Sequence, residues 1–130
     1  MSVDVLFVCL HNSGRSQMAE AFFNQMAGGK AAAASAGTQP AEVIDPTVVE
    51  VMRETGIDIG DRQPKLLTAE MIQSAGQIIS MGCGVAEACP AGLIPTEDWG
   101  LDDPEGRSPD EVRRIRDEIK ARVTALIADL

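Results

Sequence analysis

The chain has 130 residues, of which 45% are hydrophobic and 24% are charged, as in one ordinary globular domain. The net charge of −9 disfavours binding to nucleic acid or to an anionic membrane, because clustered Lys and Arg recognise both. No run approaches the ~18 apolar residues of a membrane span, and no secretory signal pattern is visible. We therefore expect a cytoplasmic protein. Its three Cys cannot all pair within the chain. Cysteines in the cytoplasm are more often reactive than joined in structural disulfides.

The first third of the chain predicts a strand, a polar loop and a helix. Residues 3–8 form a nearly continuous apolar run, which is typical of a strand buried on both faces of a parallel sheet. The loop CLHNSGRS follows at residues 9–16. Apolar residues then recur every four positions from Met18 to Met26, and Gly28 ends the predicted helix.

The remaining elements continue the alternation of strands and helices. In chain order they are a strand at 31–36, a helix from Pro46 to about 54 capped by Asp45, a short helix from Thr68 to Ser74, a strand at 77–81, a strand at 91–95, a loop at 96–107 and a final helix begun by Ser108 and Glu111. This order predicts a single α/β domain over residues 1–130, with a parallel sheet covered by helices on both faces. Ligands in such folds bind beyond the carboxyl ends of the strands.

The loop between the first strand and the first helix has the composition of an anion site. Its backbone N–H groups and the helix N-terminus can face an oxyanion together. Arg15 can grip two oxygens of a tetrahedral anion, Asn12 can brace the loop, and Gly14 is expected to permit a backbone angle that other residues resist. The predicted oxyanion-binding loop comprises Leu10, His11, Asn12, Ser13, Gly14, Arg15 and Ser16.

The same surroundings make Cys9 a candidate nucleophile. A helix N-terminus and a nearby cation stabilise a thiolate, and the Ser16 hydroxyl can add a hydrogen bond to it. His11 is the only histidine of the chain. It can donate to the anion or hold the loop, and a general-base role is disfavoured because an ionised thiol needs no base. The alternative interpretation is a buried structural Cys9, a helix-capping Ser16 and a surface Arg15.

The segment FVCLHNSGRSQMAEAF resembles the low-molecular-weight protein tyrosine phosphatase superfamily and, within it, the arsenate reductases. Other segments similar to that group are SAGTQP, TGIDIGDRQPKLLT, ISMGCGVAEACP and EDWGLDDPEG. The resemblance implies a central four-stranded parallel sheet flanked by helices. It also implies reduction of arsenate to arsenite, with phosphate or sulfate as mimics of the substrate and weak phosphatase activity as a side reaction.

The resemblance further implies a relay of three thiols. Cys9 attacks arsenate, and Cys83 then forms a disulfide with Cys9. Cys89 next attacks Cys83, which releases Cys9 and leaves a Cys83–Cys89 disulfide. Thioredoxin would reduce that disulfide, with glutaredoxin and glutathione or another thiol as alternatives, and no cofactor would be bound. Six residues of helix span about 9 Å, too far for a disulfide, so we predict a redox-driven rearrangement at residues 82–91. The alternatives are that Cys83 and Cys89 are inert, or that the three Cys bind zinc with His11.

An acidic loop follows Trp99, and the resemblance implies that it supplies the general acid. Asp103 immediately precedes Pro104 and matches the family's Asp-Pro pair, with Asp102 as the alternative acid. A solvated acidic turn is the other interpretation.

The resemblance also assigns Ser35, Asn12 and Glu20 to holding the active-site loop. Some members of the group bind potassium there with the help of an acidic residue. Lys65 stands at that position in this chain, so we predict no metal. An ordinary surface lysine is the alternative for Lys65.

Two other functions compete with arsenate reduction. A tyrosine phosphatase of the same fold would need only Cys9, Arg15 and Asp103, but aromatic walls for its substrate are scarce in a chain with 3% aromatic residues. A non-catalytic oxyanion-binding module would not need an activated thiol. Nothing in the sequence requires more than a monomer.

Overall fold

Four strands and four helices are present in the part of the chain that the structure describes. The computed structural model describes residues 3–81 and 97–130. The elements are β1 (Val3–Cys9), α1 (Arg15–Ala27), β2 (Ala33–Gly37), α2 (Pro46–Arg53), α3 (Ala69–Ser74), β3 (Ala75–Ser80), β4 (Glu97–Asp98) and α4 (Pro109–Ala128). The strands form one sheet in the order β2-β1-β3-β4, and all three pairings are parallel. The predicted α/β class and parallel sheet are therefore confirmed, as is the predicted order of elements as far as residue 81.

The strand β1 lies in the middle of the sheet and is covered on both faces. Because side chains alternate along a strand, Val5, Phe7 and Cys9 join the large core on one face. Leu6 and Val8 join a smaller cluster on the other face, where α3 packs. The continuous apolar run of β1 thus reflects burial on both sides, and it places Cys9 at the carboxyl end of a central strand.

The helix α1 is buried almost all round, because it packs against β1 and β2 on one side and against α4 on the other. Of the predicted apolar positions, Met18 and Phe22 are buried and Met26 is partly buried. Four polar side chains of the first two turns are buried as well: Arg15, Ser16, Gln17 and Glu20. Buried polar groups need hydrogen-bond partners, so the contacts of these four side chains indicate what this end of the helix is built to hold.

The predicted helix caps are present. The Asp45 carboxylate accepts a hydrogen bond from the Thr47 amide at the start of α2, and Ser108 accepts one from the Glu111 amide at the start of α4. Thr68 caps α3 in the same way. Among the described residues, no helix has both the length and the apolar character that crossing a membrane requires.

The fourth strand of the described sheet lies in a segment that was predicted as a loop. Residues 91–95 lie outside the described part of the chain, and β4 occupies Glu97–Asp98, inside the segment predicted as a loop. Both residues of β4 are exposed and acidic, so no apolar pattern marks them. Pairing with β3 produces the strand instead, and the Ser80 hydroxyl donates to the Asp98 carboxylate at 2.9 Å.

A group of ion pairs joins α4 to the C-terminal end of α2. The Glu54 carboxylate lies 2.8 Å from a nitrogen of Arg113 and 2.9 Å from one of Arg116. Hydrogen bonds from Arg113, which has the larger effect, and from Arg116 lower the pKa of Glu54 from 4.5 to about 2. A carboxyl group whose pKa is lower in the folded state stabilises the fold above its unfolded pKa, and this contribution disappears as the pH falls towards the folded pKa.

We expect Glu54→Gln to destabilise the protein slightly at neutral pH, because solvent screens this exposed carboxylate. The difference in the free energy of unfolding between this variant and wild type should persist above pH 4.5, the ordinary pKa of Glu54, and shrink as the pH falls to about 2. Urea unfolding at a series of pH values measures it. Glu50→Gln on the exposed side of α2 is the matched control. A difference that grows on acidification would contradict this assignment.

Candidate active site

The sulfur of Cys9 is the centre of the site. Cys9 is only 2% exposed, and its Sγ lies 2.8 Å from the Ser16 hydroxyl oxygen. The backbone N–H of Asn12 also donates to Sγ, at 3.3 Å. The Asn12 N–H and the N-terminus of α1 thus both direct partial positive charge towards the sulfur. These contacts place Ser16 where the sequence predicted it.

The loop between β1 and α1 is held from its outer side. Three of its carbonyl oxygens accept hydrogen bonds from backbone amides of the segment between β2 and α2: Leu10 from Gln39 at 2.8 Å, His11 from Ala41 at 3.0 Å and Ser13 from Asp45 at 3.0 Å. Because these carbonyl oxygens are hydrogen-bonded on the outer side of the loop, its N–H groups are the backbone groups that can face the inner side. That arrangement is suited to an anion-binding nest.

The structure gives Gly14 a role in packing beyond the backbone angle expected from the sequence. The residue with a left-handed backbone is Asn12, at φ 50°, whereas Gly14 has φ −146°. Asn tolerates the left-handed region better than most residues. Gly14 is needed for space, because a Cβ there would lie 2.8 Å from Cγ of Pro104. The absent side chain lets the acidic loop pack directly against the start of α1.

The side chain of Asn12 braces the loop. Its amide nitrogen donates to the Ser16 hydroxyl at 2.7 Å, so it also fixes the group that contacts Cys9. Its carbonyl oxygen accepts from the Gln17 side chain at 3.0 Å and from the Lys65 amide at 2.8 Å. One buried side chain thus connects the loop, α1 and the segment that precedes α3.

We expect Asn12→Ala to lower the free energy of unfolding by about 2 kcal/mol, because buried partners lose their hydrogen bonds. It should also weaken phosphate binding. Asn12→Gly loses the same bonds but accepts the left-handed backbone, so it should be about 1 kcal/mol more stable than the alanine variant. Urea unfolding and phosphate calorimetry measure both effects. Wild-type stability in the glycine variant would show that the side-chain bonds contribute nothing.

Arg15 connects the loop to the acidic segment. It is 5% exposed, and one guanidinium nitrogen donates to the Leu101 carbonyl oxygen at 3.0 Å. Another nitrogen lies 3.7 Å from a carboxylate oxygen of Asp103. Asp102 is exposed and lines a different cavity, with Arg107 and Glu111 among its neighbours. Of the two candidate acids, Asp103 is therefore the one that faces Arg15.

His11 lies at the edge of the site. Its Nδ1 is 3.1 Å from the Gln39 carbonyl oxygen, and its Nε2 is 3.8 Å from a carboxylate oxygen of Glu105. The first contact holds the ring against the segment that follows β2. Of the two roles proposed for His11, the structure places it in a position that supports the loop.

A buried carboxylate lies behind the loop. Glu20 is 5% exposed, and it accepts hydrogen bonds at 3.1 Å from both the Ser35 hydroxyl and the Lys65 ammonium group. Arg62 also donates to it. Lys65 is therefore not an unpaired surface lysine, because its charge is matched by Glu20.

Sequence reasoning did not identify Arg62 or Gln17. Gln17 precedes Glu20 by three positions in α1, so the two share a face, and their polarity within a buried helix was the available signal. Arg62 lies in an irregular segment, where no periodicity marks it. Cys83, Cys89 and the rearrangement predicted at residues 82–91 lie outside the described residues.

Comparisons with known proteins agree with this geometry. A family described as low molecular weight phosphotyrosine protein phosphatase matches residues 4–130. A putative arsenate reductase of Halobacterium salinarum is 38% identical over 125 residues, which cover 92% of this chain and 87% of that protein. A glutaredoxin arsenate reductase of Synechocystis sp. is 38% identical over 130 residues, covering 97% of each chain.

Solved structures give the same result. An arsenate reductase in the phosphate binding state superposes with a TM-score of 0.83 at 36% identity, covering 99% of this chain and 98% of the other. A thioredoxin-dependent arsenate reductase of Corynebacterium glutamicum superposes with a TM-score of 0.80 at 38% identity, covering 98% of this chain and 61% of the other. The chain therefore belongs to the low molecular weight phosphotyrosine protein phosphatase family, among relatives that are named arsenate reductases.

Proposed function

We propose that this protein reduces arsenate to arsenite by a thiol relay that begins at Cys9, as part of arsenic detoxification. The observation that carries the proposal is the buried Cys9 sulfur, which Ser16 and the Asn12 amide contact at the N-terminus of α1, beside Arg15. The loop from Cys9 to Ser16, together with the start of α1, forms an anion-binding cradle that suits a tetrahedral oxyanion. Relatives named arsenate reductases, 38% identical over most of the chain, favour arsenate over a phosphate ester.

The first step is nucleophilic attack. The Cys9 thiolate forms a bond to the arsenic atom, and an oxygen of arsenate leaves as water after Asp103 donates a proton to it. Arg15 neutralises charge on the remaining oxygens. Its 3.7 Å separation from Asp103 brings the acid to the same side of the site as the guanidinium.

The second and third steps move the electrons. Cys83 attacks the Cys9 sulfur, the sulfur–arsenic bond breaks, and its electron pair remains on arsenic, which leaves as arsenite. Cys89 then attacks Cys83 and releases Cys9 as a thiolate, with a Cys83–Cys89 disulfide as the oxidised product. Two electrons from an external reductant restore the starting state, so no bound cofactor is required.

We propose thioredoxin as that reductant. A thioredoxin-dependent relative and a glutaredoxin relative are both 38% identical to this chain, so identity alone does not separate the two donors. Two thiols in addition to Cys9 allow the enzyme to form an internal disulfide, which is the form that thioredoxin reduces. We further propose that residues 1–130 act as a single-domain monomer in the cytoplasm, where thiols are kept reduced.

The test is arsenate-dependent oxidation of NADPH in the presence of thioredoxin and thioredoxin reductase. Wild type should turn over, whereas Cys83→Ser and Cys89→Ser should each reduce turnover to background. Hydrolysis of an aryl phosphate, measured on the same samples, should survive both substitutions and shows that the cradle is intact. A parallel assay with glutaredoxin and glutathione identifies the donor.

Two results would overturn the proposal. Absence of arsenate-dependent turnover, together with brisk aryl phosphate hydrolysis that survives both substitutions, would identify a phosphatase. Turnover of arsenate that survives both substitutions would leave Cys83 and Cys89 outside the reaction.

A further inference from the structure

Three potential metal ligands converge at the mouth of the cradle. One ring nitrogen of His11 and one carboxylate oxygen each from Asp103 and Glu105 lie within 4.8 Å of one another. They come from two separate segments, the loop after β1 and the turn before α4. The three side chains are partly or well exposed, so a cation from solution can reach them.

The imidazole of His11 is oriented as a metal ligand would be. Its Nδ1 lies 3.1 Å from the Gln39 carbonyl oxygen, which can only accept, so the ring proton sits on Nδ1. In the neutral ring the lone pair is then on Nε2, which lies 3.8 Å from a carboxylate oxygen of Glu105. A backbone carbonyl that fixes the tautomer from outside the cluster is the usual support of a metal-binding histidine.

The turn that carries the two acids is also held in place. The Glu105 amide donates to the Asp103 carboxylate at 3.0 Å, and Arg107 donates to the Asp103 carbonyl oxygen at 2.7 Å. These bonds hold the Asp103 carboxylate and the backbone of the turn, and the exposed Glu105 side chain extends from that turn towards His11. Bringing three donors to about 2 Å from one ion requires a contraction of the cluster, which the exposed Glu105 side chain can supply.

We propose that His11, Asp103 and Glu105 bind a divalent transition-metal cation such as Zn²⁺, and that the bound ion stops turnover. One imidazole and two carboxylates form a donor set that zinc accepts, and the two carboxylates balance its charge. The bound ion occupies the carboxylate of Asp103, which is the group proposed to act on the leaving oxygen. The inhibitory part rests on the proposed role of Asp103 in arsenate reduction, whereas the binding part does not.

Binding is tested on the full chain with all three Cys replaced by Ser, which removes thiol ligands. Calorimetry with Zn²⁺ should show one site, and Co²⁺ should give a visible absorption band without thiolate charge transfer. His11→Gln and Glu105→Gln on this background should each weaken binding by about tenfold or more. Glu50→Gln is the matched control and should not weaken it. Absence of binding, or binding that both substitutions leave unchanged, overturns the site.

Inhibition is tested on the protein with its cysteines. Zn²⁺ should inhibit arsenate-dependent turnover reversibly, and a chelator should restore it. Glu105→Gln leaves Cys9, Arg15 and Asp103 in place, so it should keep its basal turnover and need about tenfold more Zn²⁺ for the same inhibition. Equal inhibition of this variant and wild type would assign the effect to the thiols. Binding to the cysteine-free chain without inhibition of wild type would overturn the inhibitory role alone.

Discussion

Replacing Cys9 with serine is expected to abolish arsenate-dependent turnover, a loss of about 10⁴-fold or more. Serine nearly matches cysteine in size, so the contacts with Ser16 and the Asn12 amide can remain. Its hydroxyl is not ionised near neutral pH, however, and it cannot form the disulfide that releases arsenite. The thioredoxin-coupled assay measures the loss directly.

Phosphate binding separates the loss of the nucleophile from the loss of the site. Calorimetry with inorganic phosphate should show nearly unchanged affinity in Cys9→Ser, because Arg15 and the loop backbone are retained. If the variant neither turns over nor binds phosphate, the substitution has damaged the cradle. Arsenate turnover that persists without the Cys9 sulfur would contradict the assignment of the nucleophile.

The second large effect is expected for Arg15→Lys, which should lower kcat/KM for arsenate by about 10²–10³-fold. Lysine keeps the positive charge but presents one ammonium group instead of a planar fork, so it cannot hold two oxygens at once. It also loses the hydrogen bond to the Leu101 carbonyl oxygen, which is 3.0 Å long in the wild type. Steady-state kinetics and phosphate calorimetry measure the effect.

The matched control is Arg122→Lys on α4, where the half-exposed arginine pairs with Glu118 and lies over the Trp99 ring. It makes the same chemical change away from the loop, and kcat/KM should stay close to wild type. Equal activity of Arg15→Lys and this control would mean that the backbone of the loop, without the guanidinium, binds the oxyanion.

The sequence was sufficient to predict the class of the fold and the position of Cys9. A continuous apolar run followed by a polar loop and a helix is typical of a parallel sheet, in which such a loop lies beyond the carboxyl end of the strand. The helix caps Asp45 and Ser108 were also predictable from the sequence, because each accepts a hydrogen bond from an amide only two or three positions away.

What the sequence could not predict depends on contacts between distant segments. The requirement for Gly14 comes from Pro104, which lies 90 positions later, and Arg62 reaches Glu20 from a segment without periodicity. The short strand β4 exists because it pairs with β3, and its two acidic residues carry no strand pattern of their own. Each of these features is a tertiary effect that overrides local preference.

The burial of the Cys9 sulfur has a consequence for the reagents that can modify it. Only 2% of the residue is exposed, so a reactant gains access by fitting into the small space that the loop encloses. A compact inorganic anion satisfies that condition, whereas a bulky peptide disulfide or an aromatic alkylating agent does not. The loop thereby selects reactants at Cys9 by size, which disfavours modification of the sulfur by bulky electrophiles.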